Sequence, residues 1–304
     1  MIRTCGLTRR FKKNAAVSDL SLDIKRGEIF GLVGPDGAGK TTTLRLLAGL
    51  LDITSGEAHI AGYDLRHEAE AVKPRVGYMA QQFSLYGELS VLENLQFFAD
   101  LFDVMGDIRP QRLEHALSFA RLQAFQDRRA MHLSGGMQKK LALACTLIHH
   151  PDLLLLDEPT TGVDPVSRRE FWDILTELHL GGTTILVSTP YMDEAERCQR
   201  VGLMFHGKLM MCDTPAHIKG HLAGDLVELK PSDWRAAVKL LDTMPGVLEL
   251  QTYGETLQVF LDDAERRIPQ LEASLNQAGI TTAGLRRAPV RMEQAFISLI
   301  RGLN

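Results

Sequence analysis

Several things are missing from these 304 residues. The four cysteines, Cys5, Cys145, Cys198 and Cys212, are scattered and contain no C-x-x-C pair, so neither a disulfide framework nor a zinc knuckle is expected, and free thiols in a reducing compartment are the simplest reading. No stretch reaches the roughly 18–20 consecutive apolar residues that span a bilayer, and the first residues lack the apolar core of a signal peptide. If the chain works at a membrane, another chain is expected to provide the span. There is no excess of positive charge: Lys+Arg is 34 against Asp+Glu 38, a formal charge of −4. Neither a nucleic-acid footprint nor a polybasic lipid-binding run is therefore expected.

What is present is organised around Gly34-Pro35-Asp36-Gly37-Ala38-Gly39-Lys40-Thr41-Thr42, which fits the phosphate-binding pattern G-x-x-x-x-G-K-[ST]. Ile29 to Val33 before it form a short apolar run, the mark of a buried strand. Leu44, Leu47, Ala48 and Leu51 after it fall at i, i+3, i+4 and i+7, a helical face. In that strand–loop–helix setting the backbone N–H groups and the positive end of the helix surround phosphate oxygens. Lys40 is expected to reach the outer phosphates, and the Thr41 hydroxyl to help hold Mg²⁺.

Other signals are weaker when taken singly. Leu20, Leu22 and Ile24 alternate as in an antiparallel strand. Phe11 is either an edge aromatic or a platform for a base. Gln81 ends the strand-like run Arg75 to Gln82 and is either a polar terminus or a metal or water ligand. Residues 88–150 turn helical in spacing and lead to Leu133-Ser134-Gly135-Gly136-Met137-Gln138, either an ordinary helix cap or a second anion-binding terminus. Leu153-Leu154-Leu155-Leu156-Asp157-Glu158 reads as a strand buried on both faces and ending in two carboxylates. Asp157 is suited to Mg²⁺ and Glu158 to polarising a water. Thr183 to Thr189 form a further buried strand that stops at Pro190. His149 and His150 end a helix and suit its negative end, and His206 reads as a turn residue.

Taken in order, these motifs resemble the ATP-binding domain of ABC transporters over about residues 1–220, and the wording around Gln81 to Tyr86 and Tyr191 to Glu196 is most similar to ATP-binding subunits of ABC-2-type exporters. The resemblance implies an α/β fold: a RecA-like P-loop core with antiparallel β and helical subdomains. It implies ATP and Mg²⁺ as ligands. Phe11 then matches the adenine-stacking aromatic, and Gly34 to Thr42 match Walker A. Gln81 matches the Q-loop, Leu133 to Gln138 the signature motif, Leu153 to Glu158 Walker B with its catalytic glutamate, and Asp164 the D-loop. Lys40, Gln81 and Glu158 are the implied catalytic residues, and Thr41, Gln81 and Asp157 the implied metal ligands. Two positions depart from the family pattern. Asp36 stands where asparagine is common, and Pro190 stands where the family has its switch histidine. Proline has no side-chain donor and no N–H, so a partly degenerate ATP site is expected.

In this family the working site forms head to tail between two such domains, with the signature motif closing over the partner's nucleotide. The expected partners are therefore a membrane permease, which contacts the chain near Phe83, Leu85 and Tyr86, and a second ATP-binding domain, non-identical or else a second copy. No nucleic acid is expected. The expected location is cytoplasmic, peripheral on the inner face of the membrane. Two other functions compete: a regulatory nucleotide-binding subunit with little hydrolysis, and a non-transport ABC ATPase acting on nucleic acid or ribosomes.

Residues 1–221 are expected to form the ATP-binding domain, with a helical subdomain at about 83–150, and residues 222–304 a small accessory domain. In the latter, Leu226 to Ala288 alternate as β-α-β-β-α-β, a ferredoxin-like plan. An amphipathic helix follows, carrying Met292, Ala295, Phe296, Leu299 and Ile300 on one face.

Overall fold

A computed structural model describes residues 1–82, 85–221 and 224–301. The chain divides into two compact units, Met1–Thr214 and Pro215–Asn304. The division falls before the short helix Pro215–Gly220 rather than after residue 221, so that helix goes with the second unit.

In the first unit the strands are β1 (Ile2–Phe11), β2 (Asn14–Ile24), β3 (Ile29–Val33), β4 (Ser55–Ile60), β5 (Tyr63–Asp64), β6 (Val76–Met79), β7 (Leu153–Asp157), β8 (Thr184–Thr189), β9 (Arg200–Phe205) and β10 (Lys208–Asp213). The helices are α1 (Lys40–Leu47), α2 (Ala69–Val72), α3 (Val91–Leu101), α4 (Ile108–Phe119), α5 (Gly135–Leu147), α6 (Pro165–Leu180) and α7 (Met192–Ala195). One sheet runs β10-β9-β3-β8-β7-β6, parallel except for the β9–β10 hairpin. The other is the antiparallel sheet β2-β1-β4-β5.

Leu153 to Leu156 are fully buried because helices and sheet cover both faces of β7, the environment a continuous apolar strand requires. Side chains of both sheets and of α1 share one core, including Leu7, Leu20, Phe30, Leu44, Leu47 and Leu155. The parallel arrangement decides where the site lies. The chain leaves β3, β7 and β8 at the same edge of the sheet, which brings residues 34–39, 158–164 and 190–191 together.

A second core, with Val91, Leu95, Leu117, Leu141 and Cys145, joins α3, α4 and α5 into a helical subdomain. Ser90 starts α3 with a capping box: its side chain accepts from the Glu93 N–H, and Glu93 accepts from the Ser90 N–H.

Two sequence readings need correction. The helical spacing from Leu44 to Leu51 overruns the helix, because α1 ends at Leu47 and Gly49 turns left-handed (φ 70°). His149 is not a cation at a helix end. It is stacked on Phe102, ring centroids 3.8 Å apart, and burial holds its pKa below the ordinary 6.5, so it favours the neutral form.

The second unit contains α8 (Pro215–Gly220), β11 (Asp225–Pro231), α9 (Trp234–Leu241), β12 (Val247–Tyr253), β13 (Thr256–Leu261), α10 (Ala264–Gln277), β14 (Thr282–Arg287) and α11 (Met292–Arg301). Its four strands form an antiparallel sheet in the order β12-β13-β11-β14. Val227, Leu229, Leu241, Val259, Leu271 and Leu275 form a core of its own. Met292 and Ala295, on the apolar face of α11, are buried. Among the described residues of both units, no helix is long and apolar enough to cross a membrane.

Candidate active site

A cavity of about 500 Å³ lies along the loop from β3 to α1, lined by Phe11, Ala16, residues 36–42, Gln81 and Glu158. Gly39 adopts φ 105°, and a Cβ there would lie 2.5 Å from the Ala16 carbonyl oxygen, so this backbone admits only glycine. Gly39 is also the N-cap of α1 and offers no side-chain cap. The first N–H groups of the helix are thus left to whatever occupies the cavity.

Lys40 is buried, and its Nζ donates to the carbonyls of Gly34 (2.8 Å) and Pro35 (3.1 Å) and lies 3.2 Å from Glu158 Oε1. The Thr41 hydroxyl donates to Asp157 Oδ1 at 3.0 Å. Gln81 Nε2 donates to Glu158 Oε2 at 2.8 Å, and the Thr161 hydroxyl reaches the same oxygen at 3.3 Å. Glu158 occupies the left-handed region (φ 45°), rare outside glycine, and is held there because its N–H donates to both the carbonyl and the hydroxyl of Ser188. Lys40, Thr41, Gln81, Asp157 and Glu158, far apart in the sequence, therefore form one connected cluster. Phe11, nearly half exposed at 45%, flanks the cavity with the Arg9 guanidinium 4.8 Å from its ring centroid. Asp36 is exposed at the rim.

Among the described residues, no group of three or more His, Cys, Asp or Glu side chains is arranged to hold a metal. The Thr41–Asp157 pair offers a hydroxyl and a carboxylate instead, with the Gln81 amide in the same cluster. Such hard oxygen donors fit a divalent cation that keeps much of its own water.

The remaining predicted residues lie outside this cavity. Ser134 caps α5, accepting from the Met137 N–H at 3.3 Å, and Gln138 Nε2 donates to the Ala130 carbonyl. Ser134 and Gly135 are exposed, whereas Leu133 and Gly136 are buried. Asp164 caps α6, accepting from the N–H groups of Val166 and Ser167, which hold its carboxyl below the usual carboxylate range. Pro190 directly follows β8.

Sequence reasoning passed over several supporting groups. Ser188 donates to Asp157 Oδ1 (2.8 Å) while accepting from the backbone N–H of Glu158, so a single hydroxyl ties the Asp157 carboxylate to the Glu158 backbone. Tyr78 reaches Asp157 Oδ2 at 3.4 Å. Lys139 of α5 donates to the Gln81 carbonyl at 2.6 Å, and burial lowers its pKa. The available signal was a polar residue at the end of an apolar strand, as in Val187-Ser188-Thr189, which marks the ligand edge of a parallel sheet.

Over 296 residues the chain is 35% identical to the Nod factor export ATP-binding protein I of Ralstonia nicotianae, covering 97% of this chain and 92% of that one. The chain belongs to the ABC transporter family. The profile of that family matches residues 17–161. The probable multidrug ABC transporter ATP-binding protein YbhF of Escherichia coli is 44% identical over 225 residues, which is 74% of this chain but 39% of YbhF. Among solved structures, the dimeric post-hydrolysis state of the ATP-binding cassette MJ0796 bound to ADP and Pi aligns with a TM-score of 0.65 and 27% identity, over 70% of this chain and 98% of that one. The chain carries the α/β cassette of that family.

Proposed function

We propose that the chain is the ATP-binding and ATP-hydrolysing subunit of an exporter, powering a separate membrane permease from the inner face of the membrane. The cluster of Lys40, Thr41, Gln81, Asp157 and Glu158 at one sheet edge carries this reading. The export names of the relatives support it.

In this reading ATP lies along residues 34–42 with its base against Phe11. Lys40 leaves the Gly34 and Pro35 carbonyls for the outer phosphates. Thr41, Asp157 and Gln81 would hold Mg²⁺, which supplies charge neutralisation at the phosphates. Glu158 then turns from Lys40 to polarise the attacking water. Signature residues Leu133 to Gln138 and Asp164 serve a site shared with a second ATP-binding domain, which explains why they lie outside the chain's own cavity. The permease contact belongs near residues 83–86. Phe83 lies outside the described residues. Tyr86 is half exposed, and Leu85 packs partly into the helical core, so Tyr86 is the better contact of the two.

Pro190 weakens the chain's own site. The partner is then a non-identical domain that keeps its histidine, and a regulatory subunit with little hydrolysis is the second reading. Steady-state turnover of wild type and Pro190→His decides between these and a self-sufficient motor. A slow wild type rescued by histidine is expected. A wild-type homodimer hydrolysing at about 1–10 per second or faster overturns the degenerate-site reading.

A further inference from the structure

Glu194 sits in α7, just past Pro190, and is 1% exposed. A buried carboxylate is costly unless its oxygens are satisfied. Each oxygen of Glu194 is held by one threonine. The Thr160 hydroxyl donates to Oε1 at 2.6 Å and the Thr189 hydroxyl to Oε2 at 2.6 Å. Thr160 lies two residues beyond Glu158, on the loop that runs to Asp164. Thr189 is the last residue of β8, and its hydroxyl also accepts from the Tyr191 N–H at 3.0 Å. One side chain thus clasps the loop after β7 to the loop after β8. A second link crosses the same seam nearer the surface: Arg168 of α6 lies 3.6 Å from Asp193 and 5.1 Å from the centre of the Tyr191 ring.

We propose that Glu194 is a positioning residue for ATP hydrolysis, locking the loop that carries Glu158 and Asp164 to the segment that carries Pro190, so that the two respond to nucleotide as one piece. The inference rests on the ATPase reading of the site. It has a particular consequence in this chain. Pro190 offers no donor of its own, so the position of its segment depends on what lies behind it, and the clasp is the connection from that side. Neither threonine that holds the Glu194 carboxylate lines the cavity. Glu194 acts through Thr160 and Thr189, with Glu158 two residues from one of them and Pro190 next to the other.

The test uses the full-length chain and compares wild type, Glu194→Ala, Glu194→Gln and Thr160→Val. Glutamine can accept one threonine hydroxyl and donate to the other, so it keeps the clasp and loses only the charge. The turnover number of Glu194→Ala should fall by about tenfold to a hundredfold, as a small displacement of catalytic groups does, while KM and calorimetric ATP affinity stay within about twofold. Glu194→Gln should restore most of the turnover. Thr160→Val should reproduce part of the loss and add little on top of Glu194→Ala, because both remove the same link. Turnover unchanged in Glu194→Ala, or lost together with ATP binding, overturns the positioning role. A wild type that fails to bind ATP overturns the site reading instead. Hydrogen exchange keeps the test open if wild-type turnover is slow. Loops 159–164 and 189–192 should both exchange faster in Glu194→Ala and recover in Glu194→Gln. Faster exchange in only one loop, or in neither, refutes the clasp.

Discussion

At the scale of single residues, burial rather than identity decides what a titratable group does. The two cysteines under the parallel sheet and the helical subdomain, Cys198 and Cys145, have thiols pushed well up by burial and are packing residues. His149 offers a measurable case. Its folded-state pKa is depressed by burial, whereas the unfolded chain returns it to about 6.5. The unfolded state therefore binds the proton more tightly. The stability contributed by neutral, stacked His149 is present above about pH 6.5 and is lost as pH falls through the lower, folded pKa. Melting temperature should drop as pH is lowered from about 7.5 to 5. His149→Phe, which keeps a ring against Phe102, should shrink that drop. An unchanged pH dependence in this variant would mean that other groups cause it. The Glu158 backbone makes the complementary point. Its left-handed φ is strained for a glutamate, and Ser188 and Lys40 show why it persists: the surroundings hold both ends of the residue.

At the scale of elements, Gly135 and Gly136 separate cleanly by packing. A Cβ on Gly136 would fall 2.5 Å from both Cβ and Oγ of Ser167, because α5 and α6 approach closely there. A Cβ on Gly135 would meet nothing nearer than the Gly162 carbonyl at 3.9 Å. Gly136→Ala should therefore destabilise the fold by about 1–3 kcal/mol through overpacking. Gly135→Ala should leave stability nearly unchanged and reveal any functional role of that exposed face without unfolding. Chemical denaturation of both variants checks this, and equal losses would contradict the packing argument. Element boundaries show where sequence patterns run out. The spacing at Leu44 to Leu51 looks helical throughout, yet the left-handed Gly49 ends the helix, since a hydrophobic period reports a buried face and not where the backbone leaves it.

At the scale of the whole molecule, each unit carries, among the described residues, a hydrophobic core of its own. A chain truncated after Thr214 should fold cooperatively and bind ATP with an affinity within about threefold of the full chain, measured by calorimetry. Loss of binding would show that the second unit contributes to the site.

The sequence by itself determined the strand–loop–helix at Lys40, the apolar β7 ending in Asp157 and Glu158, and the mostly helical character of residues 88–150. Those features are local, and local periodicity and glycine chemistry encode them. Only the tertiary structure decided which of the flagged residues meet. Lys40, Thr41, Gln81, Asp157 and Glu158 converge because parallel strands present their C-terminal ends at one edge, whereas Ser134 and Asp164 face elsewhere. Ser188 shows only as a polar residue at the end of an apolar strand, and nothing in the local spacing singles out Lys139 or Glu194. Their parts depend on hydrogen bonds between strands and loops distant in the sequence, which no spacing along the chain records.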